Sequence, residues 1–174
     1  MSEIQRTLIV LKPDTIQRGL VGEIITRLER AGLKIVGMKM VAPDEEHFHK
    51  HYEGISKLIS RWGEEIYHIT LSQMTESPVI AMVIEGVEAV EHVRKMVGKT
   101  DPKDSQPGTI RGDYTHITRA YTNPRGKTLP NILHASGDAE EAAQEVPLWF
   151  DEGELYEYTT AAEAIIRGRT PEAK

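Results

Sequence analysis

Apolar positions recur along the chain with two periods, and the switches between them mark out the elements. Thr7–Leu11 is a short, β-rich apolar run stopped by Lys12-Pro13-Asp14, the pattern of a buried strand that delivers a lysine to its end. Over Glu23–Ala31 the spacing becomes helical: Ile24, Ile25, Leu28 and Ala31 share a face, and Gly32 stops the helix. Ile35–Val41 alternates loosely as a second strand, which aims Val36, Met38 and Met40 at the core. Pro43-Asp44-Glu45-Glu46 opens a helix with acids where the macrodipole favours them, and the helix continues through His47–Tyr52. Glu53 to Thr75 stays helical but ragged, with a break at Trp62-Gly63. Val79–Ile84 is the clearest buried strand. Val87, Val90, Val93 and Val97 then mark a helix face ended by Gly98, with Arg94 half-buried beside it. Gly98 to Asp113 reads as irregular, and so long a stretch without periodicity usually carries function. Farther on, Asp138–Val146 favours helix, Pro147-Leu148-Trp149-Phe150 closes the core, and a weak helix covers Ala161–Gly168.

Strand, helix, strand, helices, strand, helix, long loop, strand and helix is the order of an α+β protein. A ferredoxin-like βαββαβ sandwich, an antiparallel sheet with helices packed on it, fits that order. At 174 residues the chain is expected to form one domain spanning 1–174. Composition removes several function classes. With no cysteine, disulfides, thiolate catalysis and thiolate zinc sites are excluded. The net charge of -6 disfavours a nucleic-acid groove. No apolar run approaches a membrane span, and the N-terminus lacks a signal-peptide pattern, so a cytoplasmic protein is expected.

Chemistry concentrates in Asn131–Asp138, Asn-Ile-Leu-His-Ala-Ser-Gly-Asp, where His134 sits at the junction of a loop and a helix. There an imidazole can face an anion with backbone donors close by. By itself it is one of seven histidines and reads as an ordinary loop residue. His47 and His51 are spaced one helical turn apart, but with no third ligand at a metal spacing they read as a solvated face. Gly98-Lys99-Thr100 and Gly126-Lys127-Thr128 resemble a P-loop ending, yet Val93 and Tyr121 stand where its first glycine belongs. What remains is a set of basic and polar residues at element ends: Lys12, Arg94, Thr100, Arg111, Asn131 and His134. Phosphoryl transfer asks for little more. Cations and donors hold the phosphates, and a neutral imidazole offers a lone pair as nucleophile while a carboxylate holds its other nitrogen.

Several separated stretches resemble nucleoside diphosphate kinases. They are Arg6–Asp14, Gln17–Ile25, His51-Tyr52, Pro78–Gly86, Asp101-Pro102 with Pro107–Asp113, Asn131–Ser136 and Leu148-Trp149-Phe150, in family order over residues 4–158. The resemblance implies that His134 is the phosphorylated nucleophile. It implies that Lys12, Arg94, Thr100 and Arg111 hold the phosphates, with Lys12 also reaching the sugar, and that Asn131 binds the ribose 3′-hydroxyl. Tyr52 and Ser136 would be near neighbours of the nucleophile and Glu145 the carboxylate that orients it. It further implies nucleoside tri- and diphosphates as partners, Mg²⁺ arriving with the nucleotide, and a homo-oligomer, tetramer or hexamer.

Three departures stand out. The stretch from Tyr52 to Pro78 is long and lacks the family's base-stacking phenylalanine; Ile66, with Tyr67 beside it, falls near that position. Residues Tyr114–Pro130 form an insertion with a turn signal at Asn123–Gly126, expected as a hairpin or loop beside the site or at a subunit contact. Gly137 replaces the acid that usually follows Ser136. The expected activity is ping-pong transfer with low base selectivity, since covering a base face leaves no base hydrogen bonds to discriminate. The alternatives are a catalytically weak nucleotide-binding scaffold of the same fold and, against the charge balance, a nucleic-acid binder.

Overall fold

A computed structural model describes residues 3–167. In chain order it runs β1 (Ile4–Leu11), α1 (Pro13–Gln17), α2 (Val21–Arg30), β2 (Lys34–Val41), α3 (Glu45–His49), a π-helical turn (Lys50–Ile55), α4 (Leu58–Trp62) and α5 (Glu64–Thr75). After these come β3 (Val79–Val87), α6 (Ala89–Val97), α7 (Ile110–Tyr114), α8 (Arg119–Thr122), β4 (Leu133–Ala135), α9 (Ala139–Trp149) and α10 (Ala161–Arg167). The sheet order is β2-β3-β1-β4 and every pairing is antiparallel, the ferredoxin-like arrangement expected from the element order.

Strand alternation divides the core between two faces. Ile9 and Leu11 of β1, with Met82 and Ile84 of β3, meet Ile24 and Leu28 of α2 and Val93 and Val97 of α6. Leu8 and Val10, with Ala81 and Val83, meet Phe48, Tyr67, Met74 and Trp149 on the other face. Each fully buried Leu or Ile contributes about 2 kcal/mol by leaving water. This alternation also aims the site. In β4, Leu133 and Ala135 join the α2–α6 side, while His134 lies opposite Val10 and faces the α9 side. Ile132, just before β4, is held at φ 74°. That left-handed conformation is strained for a β-branched residue, costing about 1–3 kcal/mol. It is fixed by Lys12 N donating to Ile132 O at 2.9 Å, by the Thr15 hydroxyl on the same carbonyl, and by Ile132 N on Asp14 Oδ2 at 3.3 Å.

The structure corrects several expectations. In β2 the register passes from Ile35–Ile84 to Gly37–Val83, so Val36 is an extra, bulged residue. The bulge changes the phase: Val36 is buried, whereas Met38 and Met40 are 55% and 59% exposed on the edge strand. Strand β3 extends to Val87, which is exposed, and the helix face begins only at Ala89. The stretch from Gly98 to Asp113 is not wholly irregular. Thr109 Oγ1 caps α7 by accepting from Gly112 N at 3.1 Å, in a helix too short to show a period. The insertion forms α8 and a 3₁₀ turn, Asn123–Arg125, and no hairpin. Helix α10 is present through Arg167, and Gly168 lies outside the described residues. It is tied back by Lys34 Nζ, 3.3 Å from Glu163 and 2.8 Å from Glu85.

Candidate active site

Three residues form a relay: His134 on β4, Ser136 just after it, and Glu145 on α9. His134 Nε2 lies 2.8 Å from Glu145 Oε1, and Ser136 Oγ donates to Glu145 Oε2 at 2.6 Å. Ser136 Oγ in turn accepts from Leu8 N at 3.1 Å, which anchors the relay to β1. Burial pushes Glu145 upward. The neighbouring His134 and His51 and the hydrogen bonds from His134 and Ser136 outweigh it and hold the carboxyl at about 2. Glu145 is therefore an ionised acceptor, which assigns the His134 proton to Nε2 and leaves Nδ1 with a free lone pair. The His134 side chain is 16% exposed and lines a cavity of about 360 Å³. Ser136 and Glu145 are fully buried and stand behind the ring rather than in the cavity.

His51 belongs to this cluster, against its reading as a solvated face. The chain widens into the π-helical turn at Lys50, and this brings His51 and Tyr52 inward. Trp149 Nε1, a donor only, reaches His51 Nδ1 at 3.2 Å, so His51 carries its proton on Nε2. The two imidazoles meet edge to face with centroids 4.5 Å apart. Burial first, then His134, push His51 down to about 3, so it stays neutral beside the nucleophile. Tyr52 lines the cavity and stacks with Phe48, and its buried hydroxyl has no hydrogen-bond partner among the described residues.

The expected phosphate-binding residues Lys12, Arg94, Thr100 and Arg111 and the expected ribose-binding Asn131 all line the same cavity. Lys12 Nζ donates to Asn131 Oδ1 at 2.7 Å, and Asn131 Nδ2 donates to the Thr100 carbonyl at 2.9 Å. Asn131 thus ties the end of β1 to the loop after α6. Arg111 is more committed than its sequence position suggests. Its guanidinium donates to the carbonyls of Asn131 (3.0 Å), Gly98 (3.3 Å), Lys99 (3.1 Å) and Leu133 (2.6 Å). Four of its five N–H groups are used in shaping the walls, which leaves one for a ligand. Two of the backbone donors near the start of α9, expected to be on offer beside His134, are already engaged. Asp138 Oδ1 accepts from Glu141 N at 2.8 Å, and Gly137 N donates to Glu141 Oε2 at 2.9 Å.

Ile66 lines the cavity, as the gap in the family pattern suggested. Tyr67 does not: its ring is in the core, and its hydroxyl is 2.8 Å from His49 Nδ1. Sequence reasoning missed Trp62 and Arg119, which also line the cavity and stack on one another. Trp62 had appeared only as a break between helices, and Arg119 lay in an insertion with no assigned role. A cationic residue in an insertion flanked by site motifs was the available signal.

Among the described residues, the group able to supply three ligands to a metal is His51, His134 and Glu145. Its nitrogen donors suit a borderline cation such as zinc rather than hard Mg²⁺, which prefers carboxylate, phosphate and water oxygens.

A carboxylate-held imidazole facing a cluster of cations is suited to phosphoryl groups, and on this fold it defines a phosphotransferase. Comparison with known proteins narrows the class. The model of the family described as nucleoside diphosphate kinase matches residues 5–155. The nucleoside diphosphate kinase of Pyrococcus furiosus is 47% identical over 167 residues, covering 96% of each chain. A transition-state mimic of the Borrelia burgdorferi nucleoside-diphosphate kinase, with bound vanadate and ADP, superposes with a TM-score of 0.89 at 40% identity, covering 93% of this chain and 96% of that one. A Halobacterium salinarum nucleoside diphosphate kinase in complex with CDP gives 0.77 at 39% identity, covering 95% and 98%. The chain belongs to the nucleoside diphosphate kinase family. Its activity is phosphoryl transfer from nucleoside triphosphates to nucleoside diphosphates.

Proposed function

We propose that the transfer runs in two half-reactions through a phosphohistidine on His134. The relay of Ser136, Glu145 and His134 opening onto the cation-lined cavity carries this reading. Nδ1 of His134 attacks the γ-phosphorus, the bond to the bridging β,γ-oxygen breaks, and the nucleoside diphosphate leaves with the electron pair. A second diphosphate then attacks the phosphohistidine through a terminal β-oxygen and returns Nδ1 to its free state. Glu145 keeps the reactive tautomer and offsets the positive charge on the phosphorylated ring. Lys12, Arg94, Thr100 and Arg111 hold the phosphates, and Asn131 takes the 3′-hydroxyl through its remaining N–H. Tyr52 directs its free hydroxyl to the reacting group, while Ile66 covers the base by dispersion with little selectivity.

Mg²⁺ enters on the nucleotide phosphates, where it neutralises charge, with no side-chain cluster required to hold it. The protein acts as a homo-oligomer, its residues 1–174 forming one domain, in the cytoplasm. Among the described residues no helix is long and apolar enough to cross a membrane.

Incubation with γ-labelled ATP and Mg²⁺ should yield an acid-labile, base-stable phosphoprotein whose label passes to GDP. Absence of label sinks the nucleophile assignment. Label that GDP cannot remove would favour the scaffold alternative.

A pH dependence follows from Lys12. Burial and then the Arg111 charge push its ammonium down to about 8. It is charged at neutral pH and loses its proton as pH rises through that value, so capture of nucleotide phosphates weakens on the alkaline side. The expected result is a fall in kcat/KM above about pH 8, with kcat less affected because bound phosphates restore the charge. A kcat/KM profile flat to about pH 10 contradicts this assignment.

A further inference from the structure

The insertion places an uncommitted cation in the cavity. Arg119, the first residue of α8, is half-buried and lines the cavity that holds His134. Its guanidinium carbon lies 4.1 Å from the centre of the Trp62 ring, and Trp62 comes from the separate helix α4. The backbone at this point is fixed from outside the insertion. Asp101 Oδ2 accepts from Arg119 N at 3.0 Å and from Thr118 Oγ1 at 3.1 Å, and Asp101 directly follows Thr100. Among the described residues the guanidinium itself makes no hydrogen bond or ion pair. Its charge is nevertheless felt at Lys12 and Arg111, which it disfavours in their protonated forms.

Like charges gathered in a partly desolvated cavity raise the energy of the empty protein, and a polyanion offsets that cost. Arg111 has one N–H left for a ligand, whereas the donors of Arg119 are all available. A guanidinium stacked on an indole keeps those donors directed outward in its own plane, so the stack orients them without consuming them.

We propose that Arg119 is a nucleotide-binding residue supplied by the insertion, donating to the phosphates while Trp62 holds the plane of its guanidinium. This rests on reading the cavity as the nucleotide site. The insertion then completes the phosphate cage, with Asp101 coupling it to the loop that carries Thr100.

Equilibrium ADP binding and steady-state kinetics on the full chain test the assignment. Arg119→Gln should weaken ADP binding and raise KM about tenfold, the effect of one charge-assisted hydrogen bond to phosphate, with kcat within about twofold of wild type. Arg119→Lys should recover most of that affinity by restoring the charge, and Trp62→Leu should cost less than Arg119→Gln. Unchanged ADP affinity in Arg119→Gln overturns the proposal. So does equal impairment in Arg119→Gln, Arg119→Lys and Trp62→Leu, which would mean that the side chain only staples the insertion to α4. Failure of the wild-type chain to bind ADP would instead sink the reading of the cavity itself.

Discussion

Replacing His134 by alanine lowers kcat by about 10⁴-fold or more, because no other group here can receive the phosphoryl and the loss of a nucleophile is not shared among its neighbours. His51 cannot substitute. Its Nδ1 is held by Trp149, its Nε2 carries the proton, and burial keeps it away from substrate. Binding should survive the change, since Lys12, Arg94, Thr100, Arg111 and Asn131 hold the phosphates and sugar without the imidazole. ADP affinity is therefore expected to stay within about threefold, as for a group that contributes to the transition state and not to ground-state binding. Titration of ADP into His134→Ala, beside a coupled turnover assay, checks both halves. Residual turnover within a factor of about ten of wild type would move the nucleophile elsewhere. His134→Gln should behave alike, and it guards against collapse of the vacated space.

Glu145→Gln is the second large effect, and it separates positioning from chemistry. The amide keeps the shape and can still accept from His134 Nε2, but it removes the charge that balances the phosphorylated ring. A kcat reduced about 100-fold with KM nearly unchanged is expected of a lost partner behind a reactive imidazole. The same substitution has a signature in stability. Glu145 is held at about 2 in the folded protein against an ordinary carboxyl value of 4.5. Its depressed value means the stabilisation is fully present above the unfolded value and is lost as pH falls from about 4.5 toward about 2. The linkage is on the order of 3 kcal/mol, less whatever solvent screening removes. Denaturant midpoints of wild type should therefore drop across that window more steeply than those of Glu145→Gln. Parallel acid curves would mean that Glu145 is not the ionised partner of His134, whatever the kinetics show.

Much of this site lies near the surface of the sequence because strand ends and helix stops leave local marks. Lys12 ends an apolar run, Arg94 flanks a valine stripe, and Gly32 and Gly98 end their helices with φ of 81° and 89°. Where local pattern misled, a longer-range contact had taken control. Met38 and Met40 follow a strand period that the bulge at Val36 reverses. His47 and His51 follow a helical period that the π-helical turn breaks, and only the docking of Trp149, about a hundred residues away, shows that His51 is enclosed.

The sequence by itself determined the α+β order and the segment that carries His134, because side-chain alternation and helical spacing are properties of a few consecutive residues. That His134 sits in β4, paired with β1, and not at a loop–helix junction was decided by the fold. It also marked the cations that would have to converge. Tertiary structure alone decided which of them remain available to a ligand. Arg111 uses four of its N–H groups on carbonyls from the loop after α6 and from the segment entering β4, while Arg119 crosses to Trp62 with its donors unused. The physical reason is that a hydrogen-bond donor's freedom depends on every acceptor within about 3 Å of it, and most of those acceptors arrive from distant parts of the chain.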